Sequence, residues 1–313
     1  MTSQIRSIAG GAVVAALLIL PARAGNDWVS WPQKSYAVER VRVKDLIGTL
    51  KVRVKNGGPV TVDVSGTKAR VAQLSVESHG NTLEIEGART NAVWDWHKWF
   101  DFSLHDENNP KNLVVKLVVP KGMALKVEDM IGNAAIGDTN GPLHFKAAAT
   151  TARIGQVHEA KISLAGSGRL DIARVAGPLD LEIAGSGRVK VGGSGRVDAD
   201  LAGAGDAQFG RIDGGLKLDI AGSGDVAAQS VNGPVKIGIA GSGSIKIAQG
   251  SADPLKVSIV GSGNFDFGGN AVDPHLSAIG SGRVRLKSYT GHMSRSGNIS
   301  VKVGGRTFDN DND

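Results

Sequence analysis

The sequence predicts an all-β protein, a single-stranded parallel β-helix, and three observations carry that prediction: a short repeat, period-two alternation and an unusual composition. Seven triplets of small residues recur at Gly166-Ser167-Gly168, Gly185-Ser186-Gly187, Gly203-Ala204-Gly205, Gly222-Ser223-Gly224, Gly241-Ser242-Gly243, Gly261-Ser262-Gly263 and Gly280-Ser281-Gly282, spaced 19, 18, 19, 19, 20 and 19 residues apart. Self-similarity at such a period marks a stacked array in which each unit contacts only its neighbours. Between triplets, apolar and polar residues alternate, as in Leu216-Lys217-Leu218-Asp219-Ile220 followed by Asp225-Val226. That is the pattern of strands with one buried and one wet face, and nothing in the region has helical periodicity. Glycine supplies 44 of 313 residues while aromatics make up only 4%, which favours many turns and a thin aliphatic core.

Each element of the unit has a physical reason. The alternating runs on either side of a triplet are two strands of one coil, and successive coils stack at ~4.8 Å. At that spacing a corner leaves no room for side chains, so Gly166, Gly168, Gly185, Gly187, Gly222, Gly224, Gly241, Gly243, Gly261, Gly263, Gly280 and Gly282 read as structural corners. Gly177-Pro178, Gly233-Pro234, Asp253-Pro254 and Asp273-Pro274 stand where a strand begins after a bend. Two inward columns follow. One is Leu170, Val189, Ala207, Val226, Ile245, Phe265, Val284 and Ile299; the other is Leu164, Ile183, Leu201, Ile220, Ile239, Ile259 and Ala278. Degenerate copies, with Gly132-Asn133-Ala134, Thr150-Thr151-Ala152 and Arg295-Ser296-Gly297 in the triplet position, extend the regular array over residues 125–303. A left-handed hexapeptide helix would keep a coil of about 18 residues; the drift in spacing favours the right-handed form.

The rest of the chain divides around this array. Residues 1–24 read as a secretory signal, with Arg6 in a short positive region, an apolar and glycine stretch from Ile8 to Leu20, and Ala22-Arg23-Ala24 as the cleavage pattern. The apolar stretch is shorter than the ~20 residues of a membrane span, so no transmembrane anchor is expected after cleavage. Residues 25–124 hold less regular strands at Val38 to Val43, Gly48 to Val54, Val60 to Val64, Leu74 to Glu77, Leu83 to Glu86 and Leu113 to Val119, read as opening coils or a capping sheet. An aromatic insertion over residues 91–110 interrupts them, and residues 304–313 form a tail expected to be disordered.

Leu74-Ser75-Val76 with Leu83-Glu84-Ile85, the Leu117-Val118-Val119-Pro120-Lys121-Gly122 strand and turn, and the serial Gly-Ser-Gly coils together resemble the bacterial family called the putative auto-transporter adhesin head domain, or GIN domain. The resemblance covers about residues 37 to 303. It implies an exported, β-helix-like protein of adhesion or surface binding, and it brings no catalytic residues with it. Self-secretion through an attached membrane barrel is not expected.

Composition removes several functions. There is no cysteine, hence no disulfide, thiolate metal site or cysteine nucleophile. The net charge is +6 and falls to +4 without Arg6 and Arg23, and acids and bases alternate rather than forming blocks, so no nucleic-acid partner is expected. The triplets are followed by strands, not helices, which removes the phosphate-cradling geometry and with it nucleotide binding. No cofactor is expected. Asp206 and Asp225 follow triplets directly, but Arg169, Arg188, Ser244, Asn264 and Arg283 hold the equivalent places, so an ordered calcium ladder is not predicted.

Two constellations remain. The outward column Glu182, Asp200 and Asp219, with Asp180 and Asp198 two residues earlier on the first two coils, stacks carboxylates that repel unless a cation or a base intervenes. It is the candidate metal site, against a solvated mixed-charge face that includes Lys217 and Lys236. The segment from Trp94 to Phe102 holds three of the five tryptophans. Trp94, Trp96, Trp99 and Phe100 are candidate ligand contacts, since aromatic faces stack on sugar rings, and the alternative is an apolar plug over an open solenoid end. The histidines are scattered; His97 and His105 match no zinc spacing, and no Ser-His-Asp constellation stands out. The expected function is therefore that of a non-enzymatic, periplasmic or secreted adhesin-like module contacting a glycan or cell-envelope component. A calcium-assisted polysaccharide-active enzyme and a purely structural envelope scaffold are the alternatives, and self-association through the solenoid ends stays open.

Overall fold

The computed structural model describes residues 27–87 and 112–308. The signal segment, the aromatic insertion with Trp94, Trp96, Trp99 and Phe100, and the last five residues of the tail lie outside the described residues. The chain is a parallel β-solenoid whose coils present two stacks of strands. In the first stack Glu159–Gly166, Leu179–Gly185, Val197–Gly203 and Leu216–Gly222 lie side by side in parallel. In the second, Arg169–Val175, Arg188–Ser194 and Asp206–Ile212 do the same. Further along, Asp225–Gly241 and Ser244–Gly261 run through both stacks as single long strands.

The core is the space between the stacks. The column from Leu164 through Ile183, Leu201, Ile220, Ile239 and Ile259 to Ala278 is paired residue by residue, and each member is buried. The column from Leu170 to Val284 is equally continuous, with the Phe265 and Phe267 rings stacked at 6.3 Å near its end. Its last member differs from expectation. Val284 pairs with Val301, not Ile299, because Gly297 sits beside Ala278 and the final coil lacks two residues of the corner. Arg295-Ser296-Gly297 therefore precedes the triplet position. Thr150-Thr151-Ala152 is displaced the other way, since Thr151 pairs with Arg169 and Ala152 with Leu170. There the corner is turned by Ala149 at φ 44°, and the Thr150 hydroxyl meets the carbonyls of Met130 and Ala148 at 2.8 and 2.9 Å.

The glycine corners show why the repeat tolerates so little. Gly222 has φ +136°, and a Cβ there would lie 2.1 Å from the Gly203 carbonyl oxygen of the coil below. Gly224 keeps an ordinary φ, yet its Cβ would meet the Gly205 oxygen at 2.3 Å. Between them the Ser223 amide donates to the Gly203 carbonyl at 2.9 Å, so the hydrogen-bond ladder continues round the bend.

The opening strands are not in chain order. Arg40–Lys44 and Ile47–Lys55 form the first coil against Ala124–Ile136. Thr82–Glu86 and Leu113–Pro120 then stack on its other side, also parallel. Beyond them the direction reverses. Ser75–His79 pairs antiparallel with Thr82–Glu86, Val60–Thr67 with Leu113–Pro120, and Trp28–Ser30 and Lys34–Tyr36 with Val60–Thr67. A short helix, Lys68–Ala72, buries Arg70, whose guanidinium donates to the Ile47 carbonyl at 2.5 Å. Burial lowers the pKa of that guanidinium.

Candidate functional site

Alternation places every second residue of the first stack on the outside, and parallel in-register pairing turns those residues into columns. One column runs unbroken across adjacent strands: Glu84, Arg42, Lys126, His144, Lys161, Asp180, Asp198, Lys217, Lys236, Lys256 and His275. Beside it runs Ser163, Glu182, Asp200, Asp219, Gly238, Ser258 and Ser277, and beside that Ala165, Ala184, Ala202, Ala221, Ala240, Val260 and Ile279, next to the glycine corner. The third column is apolar and exposed, most of all at Val260 (50%) and Ile279 (73%).

Two of the concavities on this face hold its paired charges and its predicted carboxylates. The first, of about 620 Å³, lies at the junction of the first coil with the regular array and is lined by Arg40, Arg42, Lys126, His144, Lys161 and small or apolar residues such as Ala124 and Pro142. Its charges are largely paired. Arg42 and Lys126 both reach Glu128, at 2.7 and 2.8 Å, Lys44 reaches Glu84 at 2.9 Å, and Lys161 reaches Asp180 at 3.2 Å. Partial burial works to raise the Glu128 carboxyl, but the hydrogen bonds from Lys126 and Arg42 outweigh it and hold the group below the usual carboxylate range. Glu84 is lowered chiefly by its hydrogen bond from Lys44. His144 is pushed down by burial and then by Lys126, so it stays neutral near pH 7.

The second concavity, of about 400 Å³, has the three predicted carboxylates along one wall and the alanine column along the other. Glu182, Asp200 and Asp219 are in register on successive strands. The Ser163 hydroxyl donates to Glu182 at 3.3 Å, and the Lys217 ammonium reaches Asp198 at 2.8 Å and Asp219 at 3.8 Å. Desolvation raises the Asp200 pKa; Lys217 opposes it, while Asp198, Asp219 and Asp180 add to it. A basic side chain therefore sits inside the acidic cluster. Among the described residues, no group of three or more His, Asp or Glu side chains is arranged to hold a metal ion.

Sequence reasoning found the acidic column but missed the first concavity, because Arg40 and Arg42 join Ala124 and Lys126 through a long-range pairing that no local pattern announces. The exposed alanine column was legible in the repeat, as the residue before each triplet.

A fold of stacked in-register coils with glycine corners and outward chemical columns has a counterpart among known families. The sequence model described as putative auto-transporter adhesin, head GIN domain, matches residues 43–247 and 215–306. The chain belongs to this family. The GIN-domain chain is also similar to solved structures: a putative lipid binding protein from Parabacteroides distasonis, at 17% identity over 90% of this chain and 96% of that one, with a TM-score of 0.43; a putative adhesin from the same organism, at 18% identity over 89% and 94%, TM-score 0.40; and a putative adhesin from Parabacteroides merdae, at 14% identity over 90% and 97%, TM-score 0.39. Comparison with curated proteins returns no match. No helix among the described residues is long and apolar enough to cross a membrane.

Proposed function

We propose that this GIN-domain protein is an exported, non-enzymatic binding module that holds a cell-envelope or extracellular polymer against the outer face of its first strand stack. One observation carries the reading: the charged column crosses eleven adjacent strands from Glu84 to His275, a face about 50 Å long at ~4.8 Å per strand. Such a surface offers many weak contacts in a line, which suits an extended chain better than a compact molecule. The pairing of Lys217 with Asp198 and Asp219 favours a binding surface over a carboxylate pair poised for acid–base work. Membership of an adhesin-like family and the secretory-signal pattern read in residues 1–24 of the sequence support export, to the periplasm or beyond. Trp94, Trp96, Trp99 and Phe100 are a second proposed contact, on sequence grounds.

The test is binding of residues 25–313 to envelope fractions, peptidoglycan and a panel of neutral and acidic polysaccharides, beside a folded W94A/W96A/W99A variant. Retention on at least one polymer is expected. Retention by the triple variant assigns the contact to the strand face, and its loss assigns it to the aromatic insertion. No retention of the unsubstituted protein on any polymer overturns the reading.

A further inference from the structure

The cations of the first stack are not treated alike. Arg42, Lys44, Lys126, Lys161 and Lys217 each face a carboxylate at 4.0 Å or less. Lys236 and Lys256, paired with each other and flanked by Lys217 and His275, take part in no ion pair among the described residues. The column beside them has turned from Asp219 to Gly238, Ser258 and Ser277, so no acid replaces the missing partner there. Stacking like charges on adjacent strands is unfavourable, and the fold does not require it, since any polar residue satisfies an outward strand position. Two adjacent lysines without an acidic partner leave positive charge on the face that an anion from outside can match.

The lysine ladder also edges a concavity. A notch of about 200 Å³ is lined by Arg196, Lys217, Lys236 and Lys256 together with Pro234, Pro254 and two glycines, with no carboxylate in its lining. It stays open because Gly215, at φ +91°, has no Cβ; one there would lie 2.6 Å from the Pro234 carbonyl oxygen. The notch is smaller than the ~300–1,000 Å³ of small-molecule pockets, so affinity must come from repetition along the axis. Cations recur every ~4.8 Å along that axis, close to the advance of one sugar in an extended polysaccharide. The exposed proline rings give the apolar side of a sugar something to rest on. No aromatic ring lines the notch, which removes the stacking platform that single-stranded nucleic acid uses.

Resting on the polymer-binding reading above, we propose that the unmatched Lys236 and Lys256, with Arg196 in the same notch, bind a linear polysaccharide carrying a carboxylate on each sugar, laid along the solenoid axis with one sugar per coil. The mature protein, residues 25–313, is titrated with polygalacturonate, with its methyl ester, which keeps the backbone and removes the charge, and with a neutral glucan. Polyphosphate serves as competitor. Two variants of equal net charge are compared, Lys236→Gln/Lys256→Gln on the ladder and Lys51→Gln/Lys190→Gln on the second stack. Polygalacturonate is expected to bind, to weaken with added salt, and to lose about tenfold or more in the ladder variant and little in the other. Equal binding of the ester, equal loss in both variants, or displacement by polyphosphate at equal charge overturns the assignment. Retention on peptidoglycan or neutral glucan without binding of polygalacturonate sinks the ladder and leaves the polymer-binding reading standing; no retention on anything sinks both.

Discussion

Substituting Gly222 by alanine separates two costs that the corner imposes. The backbone there has φ +136°, and the new Cβ would lie 2.1 Å from the Gly203 oxygen and 2.9 Å from its carbon. A conformation that L-residues rarely adopt costs about 1–3 kcal/mol, and forcing a methyl group into a filled site about 1–3 kcal/mol more. The expected loss is roughly 2–6 kcal/mol. Gly57 provides the control, because it also has positive φ (+73°) but nothing within 4 Å of its Cβ. Gly57→Ala should therefore cost only the backbone share, about 1–2 kcal/mol. Ser223→Ala, at the exposed middle of the same triplet, should stay within about 0.5 kcal/mol. Urea unfolding followed by far-ultraviolet circular dichroism reads all three as shifts in midpoint at constant slope. If Gly222→Ala costs no more than Gly57→Ala, contact between stacked corners is not what fixes glycine in the triplet.

Four further outcomes follow from the same geometry. Glu84 and Glu128 have folded pKa values below their ordinary 4.5, so the stability they contribute is present above that value and is lost as pH falls through the folded values; E84Q/E128Q should flatten the acid limb of a stability–pH curve below about 4.5 and leave its shape near neutrality unchanged. Asp200 is raised above 3.8, so its ionised form weighs against folding at neutral pH and not below that range; Asp200→Asn should raise the unfolding free energy at pH 7 slightly, by at most about 0.5 kcal/mol for so exposed a group, and the gain, read by urea unfolding, should vanish at pH 3. Calcium should leave the unfolding midpoint unchanged, since Lys217 already sits among the carboxylates; a rise with calcium that Asp200→Asn abolishes would return the column to a cation site. Arg70→Ala, which leaves the Ile47 carbonyl without its donor, should cost about 1–3 kcal/mol by the same urea assay.

What the sequence made legible was whatever repeats locally. Leu164, Ile183 and Leu201 to Ala278 are a column in the structure because each triplet resets the register, and the eye can count from one triplet to the next. The count fails where the corner changes chemistry. At Thr150 a threonine side chain and a positive-φ alanine do the turning, and at Gly297 two corner residues are missing, so a register carried on from glycine spacing lands two residues away. The opening coil was illegible for a different reason. Arg40–Lys44 finds its neighbours at Thr82–Glu86 and Ala124–Glu128, and an alternating strand carries no information about which of several partners it will choose.

Register links this structural economy to the surface. Because Gly222 accepts the Ser223-type amide ladder of the next coil through Ser242, at 2.9 Å, the outward residues of adjacent strands stand directly over one another, and a change in one coil alters one rung and nothing in the core. Leu216, Leu218 and Ile220 are held by burial, while Lys217 and Asp219 between them are held by nothing but their neighbours on the face. The column can therefore pass from paired charges at Arg42 and Lys161, through the Asp180 and Asp198 pair, to unmatched lysines at Lys236 and Lys256, with the same backbone beneath each. In such a fold the core determines length, while the outward positions are free to change chemistry rung by rung, which is what lets unmatched charge arise at Lys236 and Lys256 without cost to the packing beneath.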